Sequence, residues 1–169
     1  MIHTAVITLS DKGSKGERED ESGRVVREMI TGIGAEVGHY EVLPDEKALL
    51  KNTLIRLVDS GKFDLIITTG GTGVAPRDVT PEATREVIER ELPGMAEAMR
   101  AESLKKTPHA MLSRAVAGIR GTTLIVNLPG SPRAVRENLS VILPAIPHAV
   151  EKIHGDPSDC AKQDPENSN

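Results

Sequence analysis

A doubly wound α/β domain, with one mostly parallel sheet and helices on both faces, is the fold this chain predicts. Short apolar runs at residues 4–9, 35–43, 65–69 and 121–127 alternate with stretches whose apolar residues recur at helical spacing. Each run ends in a polar or glycine-containing loop. The length, 169 residues with 38% hydrophobic content and only Tyr40 and Phe63 as aromatics, suits one domain around a single aliphatic core.

Residues 4–9 lead into Ser10-Asp11-Lys12-Gly13, and the polar stretch 13–21 reads as a long loop. Val25, Val26, Met29, Ile30 and Ile33 then form a helical face, followed by a second strand over 35–43 that stops at Pro44. Leu50, Leu54, Leu57 and Val58 line one face of a helix between Asp45 and Ser60. The run 65–69 is short and apolar, as expected of a strand buried on both faces. A helix from Thr80 carries Val87 and Ile88, Pro93-Gly94 interrupts it, and another follows with Met95, Met99 and Leu104 until Thr107-Pro108. Residues 121–127 are the last clear central strand. Ser131-Pro132 supplies a serine cap and an early proline for the next helix, and 141–153 is apolar enough to close the domain as a helix despite Pro144 and Pro147. The domain is expected over 1–155, with 156–169 a polar, proline-containing, disordered tail.

Composition narrows the function. A formal charge of −4 gives no general attraction to nucleic acid or anionic membrane, so an anionic ligand must be held by local groups. Cys160 is the only cysteine, and the five histidines show no zinc spacing. With no signal-peptide pattern and no run of bilayer-spanning length, a cytoplasmic protein is expected.

The run from Thr68 to Thr84 carries the chemistry. It leaves a strand, turns on Gly70, Gly71 and Gly73, and restarts as a helix after Pro76-Arg77-Asp78. Glycines let backbone N–H groups approach an anion, Thr72 adds a hydroxyl, Arg77 a cation and Asp78 a carboxylate able to hold a metal. The absence of Gly-Lys-Ser/Thr excludes an ordinary P-loop. Without further information, Asp78 could equally be a helix-flanking acid paired with Arg77, Asp45 an N-cap, and Ser10-Asp11 a strand-end cap. Asn127, Pro129, Gly130 and Ser131 form a further turn. All four loops follow strands, so they converge on the carboxyl edge of the sheet, where open α/β sheets bind ligands.

The 68–84 run resembles the signature of the molybdopterin adenylyltransferase family of molybdenum-cofactor biosynthesis, which includes the G domains of plant and animal cofactor-synthesis proteins. The resemblance continues through Leu9-Ser10-Asp11, Leu43-Pro44-Asp45-Glu46, the segment 102–121 and Asn127-Leu128-Pro129-Gly130-Ser131-Pro132, in order along the chain. It implies transfer of AMP from ATP to the terminal phosphate of molybdopterin, with Mg2+. Asp78 and Asp45 then correspond to the family's catalytic, metal-holding acids. Ser10, Asp11, Gly70, Gly71, Thr72, Gly73, Asn127, Pro129, Gly130 and Ser131 correspond to its substrate-binding loops. Ser103, Lys105, Ser113 and Arg114 lie in the matching helical segment and could bind the pterin phosphate, although each alone reads as a solvated helix residue. The resemblance also implies a homotrimer, to which the apolar segment 141–146 could contribute, and hand-off to a molybdate-inserting enzyme. A non-catalytic molybdopterin-binding paralogue and a scaffold domain are the competing functions.

Overall fold

The computed structural model describes residues 1–157. Its strands are β1 (Ile2–Leu9), β2 (Ala35–Leu43), β3 (Leu65–Thr69), β4 (Arg90–Glu91), β5 (Ala117–Arg120) and β6 (Thr123–Leu128). They form a single sheet in the order β2-β1-β3-β6-β5-β4. The first four in that order are mutually parallel, while β5 and β4 add antiparallel pairs at one edge. β1 and β3 are adjacent although the chain first goes outward to β2. This reversal creates a crevice at the carboxyl ends of β1 and β3.

The helices are α1 (Asp11–Ser14), α2 (Glu21–Ile30), α3 (Lys47–Asp59), α4 (Thr80–Arg85), α5 (Pro93–Leu104), α6 (Pro132–Ile142) and α7 (Ile146–Ile153). Because strand side chains alternate between faces, β1 sends Ile2 and Val6 one way and Ala5, Ile7 and Leu9 the other. The first set packs with α2, α5, α6 and α7 through residues such as Val26, Met99, Leu139 and Ile146. The second meets Leu50, Leu54 and Leu57 of α3, with Ala83 and Val87. Both faces are therefore covered, and the expected doubly wound architecture is present.

Several local expectations change. The 13–21 loop begins inside a short helical turn, α1, capped by Ser10, whose Oγ accepts from Gly13 N at 2.9 Å. α4 ends at Arg85, so Val87 and Ile88 pack after the helix and not within it. The closing helix is broken: residues 143–145 form a 3₁₀ turn, since Pro144 cannot donate a helical hydrogen bond, and Pro147 falls in the first turn of α7. The antiparallel strands β4 and β5 go beyond the strands expected from the sequence. Of the predicted tail, residues 158–169 lie outside the described residues.

Candidate active site

Three backbone segments meet at the crevice with almost no side-chain volume between them. Gly70 follows β3 with φ 95°, and a Cβ there would stand 2.3 Å from the Leu9 carbonyl oxygen of β1. From the other side, a Cβ on Gly130 would lie 3.2 Å from Gly70 Cα. Glycine is required where backbones approach this closely. The contacts are fixed by Gly70 N donating to the Leu128 carbonyl at 3.1 Å, Thr69 Oγ1 to the Pro129 carbonyl at 2.7 Å and Ser22 Oγ to the Gly130 carbonyl at 2.5 Å. Thr80 closes the glycine loop, its Oγ1 donating to the Gly70 carbonyl and its N to the Gly71 carbonyl. The start of α4, expected to favour an anion, thus spends its first amide on the loop itself.

Two cavities open on this junction. The larger, about 780 Å³, lies between the loops after β1, β2 and β3 and the segment 18–22. The smaller, about 420 Å³, lies between the glycine loop, α5, α6 and the 107–113 segment. Gly71, Asp78 and Gly130 line both. Two ligands, one in each lobe, would therefore meet beside Asp78.

The larger lobe gathers Asp11, Asp45 and Asp78. Asp11 and Asp45 exchange hydrogen bonds, each backbone N donating to the other's carboxylate at 3.0 Å. Arg77 grips Asp11 with two parallel bonds, Nε to Oδ2 at 2.5 Å and Nη2 to Oδ1 at 2.8 Å. These bonds and that from Asp45 hold the Asp11 carboxyl down at about 2. Asp45 goes the other way: burial, then the neighbouring charges of Asp11 and Asp78, push its carboxyl up. Asp78 Oδ2 accepts from Ala75 N at 2.8 Å. Arg77 is thus the partner of Asp11 and not of Asp78. Asp45 precedes the N-cap of α3, which is Glu46, so it is not the cap.

Asp45 Oδ1 and Asp78 Oδ1 make no hydrogen bond among the described residues, and both acids line the larger lobe. Two unspent carboxylate oxygens whose charges repel fit a hard divalent cation such as Mg2+, which takes one or two protein carboxylates and completes its octahedron with water and phosphate. No cluster of three or more His, Cys, Asp or Glu among the described residues offers a complete protein cage.

Ser10, Asp11, Gly70 and Gly71 line the larger lobe, Thr72, Gly73 and Pro129 the smaller, Gly130 both, and Ser131 the larger. Asn127 lines neither. It belongs to β6 and is fully buried, with Oδ1 accepting from Val116 N and Nδ2 donating to the hydroxyls of Thr68 and Thr84. Its side chain ties β6 to β3 and α4 and is spent within the chain. Ser103 and Ser113 do line the smaller lobe, whereas Lys105 pairs with Glu102 on the surface. Arg114 turns to the back of the glycine loop, where its Nε donates to the Gly73 carbonyl at 2.6 Å.

Sequence reading passes over Asp20, which lines the larger lobe and accepts from Thr8 Oγ1 at 2.6 Å, Tyr40 Oη at 2.5 Å and Gly23 N at 2.9 Å. Its place just before α2 is the available signal, since it caps that helix. Arg100 and Asn138 of the smaller lobe are also missed. They come from helices that meet only in the folded chain.

A switch-point crevice with a glycine loop, an acidic wall and a second lobe at one shared acid defines a class: open α/β domains with a two-lobed ligand site at the carboxyl edge of the sheet. Residues 5–148 match the family described as a probable molybdopterin binding domain, and the chain belongs to that family. It is 47% identical over 156 residues to the molybdopterin adenylyltransferase of Helicobacter pylori J99, covering 91% of this chain and 89% of that protein. It is 44% identical to Dictyostelium discoideum gephyrin over 90% of this chain, but spans just 22% of that longer protein. The crystal structure of the molybdopterin biosynthesis enzyme MoaB from Thermus thermophilus superposes with a TM-score of 0.87 at 52% identity, covering 94% of this chain and all of that one.

Proposed function

We propose that this chain is a molybdopterin adenylyltransferase, transferring AMP from ATP to the terminal phosphate of molybdopterin with Mg2+. The observation that carries this reading is the meeting of two lobes at Gly71, Asp78 and Gly130. ATP occupies the larger lobe and the pterin the smaller, which sets the pterin phosphate beside the α-phosphate. An oxygen of that phosphate attacks α-phosphorus, the bond to the β-phosphate oxygen breaks, and pyrophosphate leaves. The nucleophile is already an anion, so no strong general base is required.

The chain's contribution is alignment and charge neutralisation. Asp45 and Asp78 would hold Mg2+, which offsets phosphate charge when bound. The backbone of residues 70–73, shaped by its glycines, cradles phosphate, Ser10 and Asp11 border the nucleotide, and Ser103 and Ser113 offer hydroxyls to the pterin. Arg77, about three-fifths exposed, stands at the mouth of the lobe, able to exchange Asp11 for a phosphate.

We further infer a homotrimer. The segment 141–146 gives it little support, since Ile142 and Ile146 are spent in the chain's own core. The exposed Leu104, Met111 and Leu112 beside the smaller lobe support it better, and sedimentation showing only monomer would contradict it. Under this reading the chain works in the cytoplasm and passes its product to a molybdate-inserting enzyme; among the described residues no helix is long and apolar enough to cross a membrane. Incubation with ATP, Mg2+ and molybdopterin, followed by mass analysis, tests the reaction: adenylylated molybdopterin and pyrophosphate are expected. Pterin binding with ATP left intact would instead identify a non-catalytic paralogue.

A further inference from the structure

We propose that Arg114 is a positioning residue that holds Asp78 and the Gly73 turn in register, so that the acid shared by the two lobes stays where the reacting phosphates meet. The inference rests on the adenylyltransferase reading of that site. Arg114 does not line either lobe, yet it grips the loop that divides them at both ends. Its backbone N donates to the Thr72 carbonyl at 2.9 Å. Its Nε donates to the Gly73 carbonyl at 2.6 Å and its Nη2 to the Asp78 carbonyl at 2.7 Å. The remaining nitrogen, Nη1, pairs with Glu82 Oε1 in the first turn of α4.

Between these anchors the loop is tied to the rest of the chain by Arg77, whose exposed guanidinium pairs with Asp11. Val74, Ala75, Pro76 and Arg77 are exposed, with Val74 at 64%. Among the described residues, the loop's internal bonds are Asp78 N to the Ala75 carbonyl at 2.9 Å and Ala75 N to Asp78 Oδ2 at 2.8 Å. A Cβ on Gly73 would stand 2.8 Å from Asp78 Oδ2, so the carboxylate lies directly against the Gly73 backbone. Fixing the Gly73 and Asp78 carbonyls on one planar group therefore fixes the carboxylate between them. A guanidinium can do this because its donors are held in a rigid fork; an ammonium satisfies such acceptors from a single point. Glu82 keeps the fork oriented, and its second oxygen, Oε2, is buried without a partner, so the ion pair is the carboxylate's main compensation.

Arg114→Lys separates positioning from general support. Misplacing a catalytic group by about 1 Å can cost on the order of a hundredfold in rate, so single-turnover adenylylation should fall roughly tenfold to a hundredfold. Affinity for molybdopterin should stay within about threefold of wild type, because Arg114 touches neither lobe. Introduced into Asp78→Asn, the same change should add less than about threefold, since residues acting through one group are not additive. A readout independent of turnover is amide exchange: Ala75 and Asp78 should exchange faster in Arg114→Lys while β1 and β3 keep their protection. If Arg114→Lys fails to fold, Gly73→Ala displaces the same acid from the opposite side and should reproduce the rate loss. Unchanged turnover in both variants, a fully additive loss in the double variant, or unchanged exchange at Ala75 and Asp78 would overturn the proposal. Absence of adenylylation by the wild type, with the exchange effect intact, would overturn the functional reading and leave the clamp standing.

Discussion

The two lobes that meet at Asp78 are built from opposite materials. The larger is lined by six carboxylates, Asp11, Glu19, Asp20, Glu21, Asp45 and Asp78, against two cations, Lys12 and Arg18. The smaller has hydroxyls from Thr72, Ser103, Thr107 and Ser113, apolar Ala110, Leu112 and Ala134, and only two carboxylates, Asp78 and Glu137, beside Arg100 and His109. A triphosphate alone would be repelled by the first wall, so a nucleotide can enter it well only with a divalent cation. The second wall suits a flat, largely uncharged ring held by hydrogen bonds and shape. On the proposed reading a metal would fall to the larger lobe, and Asp78, free of Arg77, is the one acid that lines both lobes.

The sharpest way to break this contrast is Asp78→Asn, which preserves size and removes the charge. Loss of an interaction specific to the transition state, about 3–4 kcal/mol, would slow single-turnover adenylylation roughly a hundredfold to a thousandfold. Molybdopterin affinity, measured directly, should change far less. Gly70→Ala attacks the junction itself: its Cβ would meet the Leu9 carbonyl at 2.3 Å and its φ of 95° suits few side chains. Strain on the order of 1–3 kcal/mol should lower the melting temperature and weaken both substrates together. Ser103→Ala should touch the smaller lobe alone. It removes a hydroxyl that accepts from Asn138 Nδ2 at 3.0 Å, and about 1 kcal/mol should raise KM for molybdopterin several-fold without changing KM for ATP.

Asp45→Asn gives the smallest expected effect on stability, and its sign there is opposite to that on activity. Burial and the charges of Asp11 and Asp78 raise the Asp45 carboxyl, so the folded state binds that proton more tightly than the unfolded chain does. Its contribution is complete below the ordinary carboxylate value and is lost as pH rises through the folded value. The asparagine variant has no such loss. Without metal, its melting temperature should match wild type near pH 3 and exceed it modestly at pH 7, while its turnover falls. A variant less stable than wild type at pH 7 would show that the Asp45 charge supports the fold.

What is legible in the sequence follows from locality. The glycine loop, the acids at 45 and 78 and the four loops after strands are encoded in short contiguous runs, and the sheet order brings them to one crevice. Asn127 is less legible because a polar residue in a recognisable motif suggests a ligand, whereas its hydrogen bonds to Val116, Thr68 and Thr84 depend on β5, β3 and α4 lying around it. β5 escapes notice because it is four residues long and contains Gly118, whose Cβ would collide with Ile88 and the Arg90 carbonyl. The smaller lobe is hidden for a related reason. Arg100, Ser113 and Asn138 are ordinary surface-type residues until α5, the 107–113 segment and α6 pack together.

Titrating molybdopterin into protein already saturated with Mg2+ and α,β-methylene-ATP tests the central claim, that the two substrates occupy separate lobes of one chain and meet at Asp78. One pterin per chain should bind without displacing the nucleotide, and with an affinity no weaker than that of the nucleotide-free protein. Competitive displacement of the nucleotide by the pterin would mean that both use a single lobe, and would contradict the account.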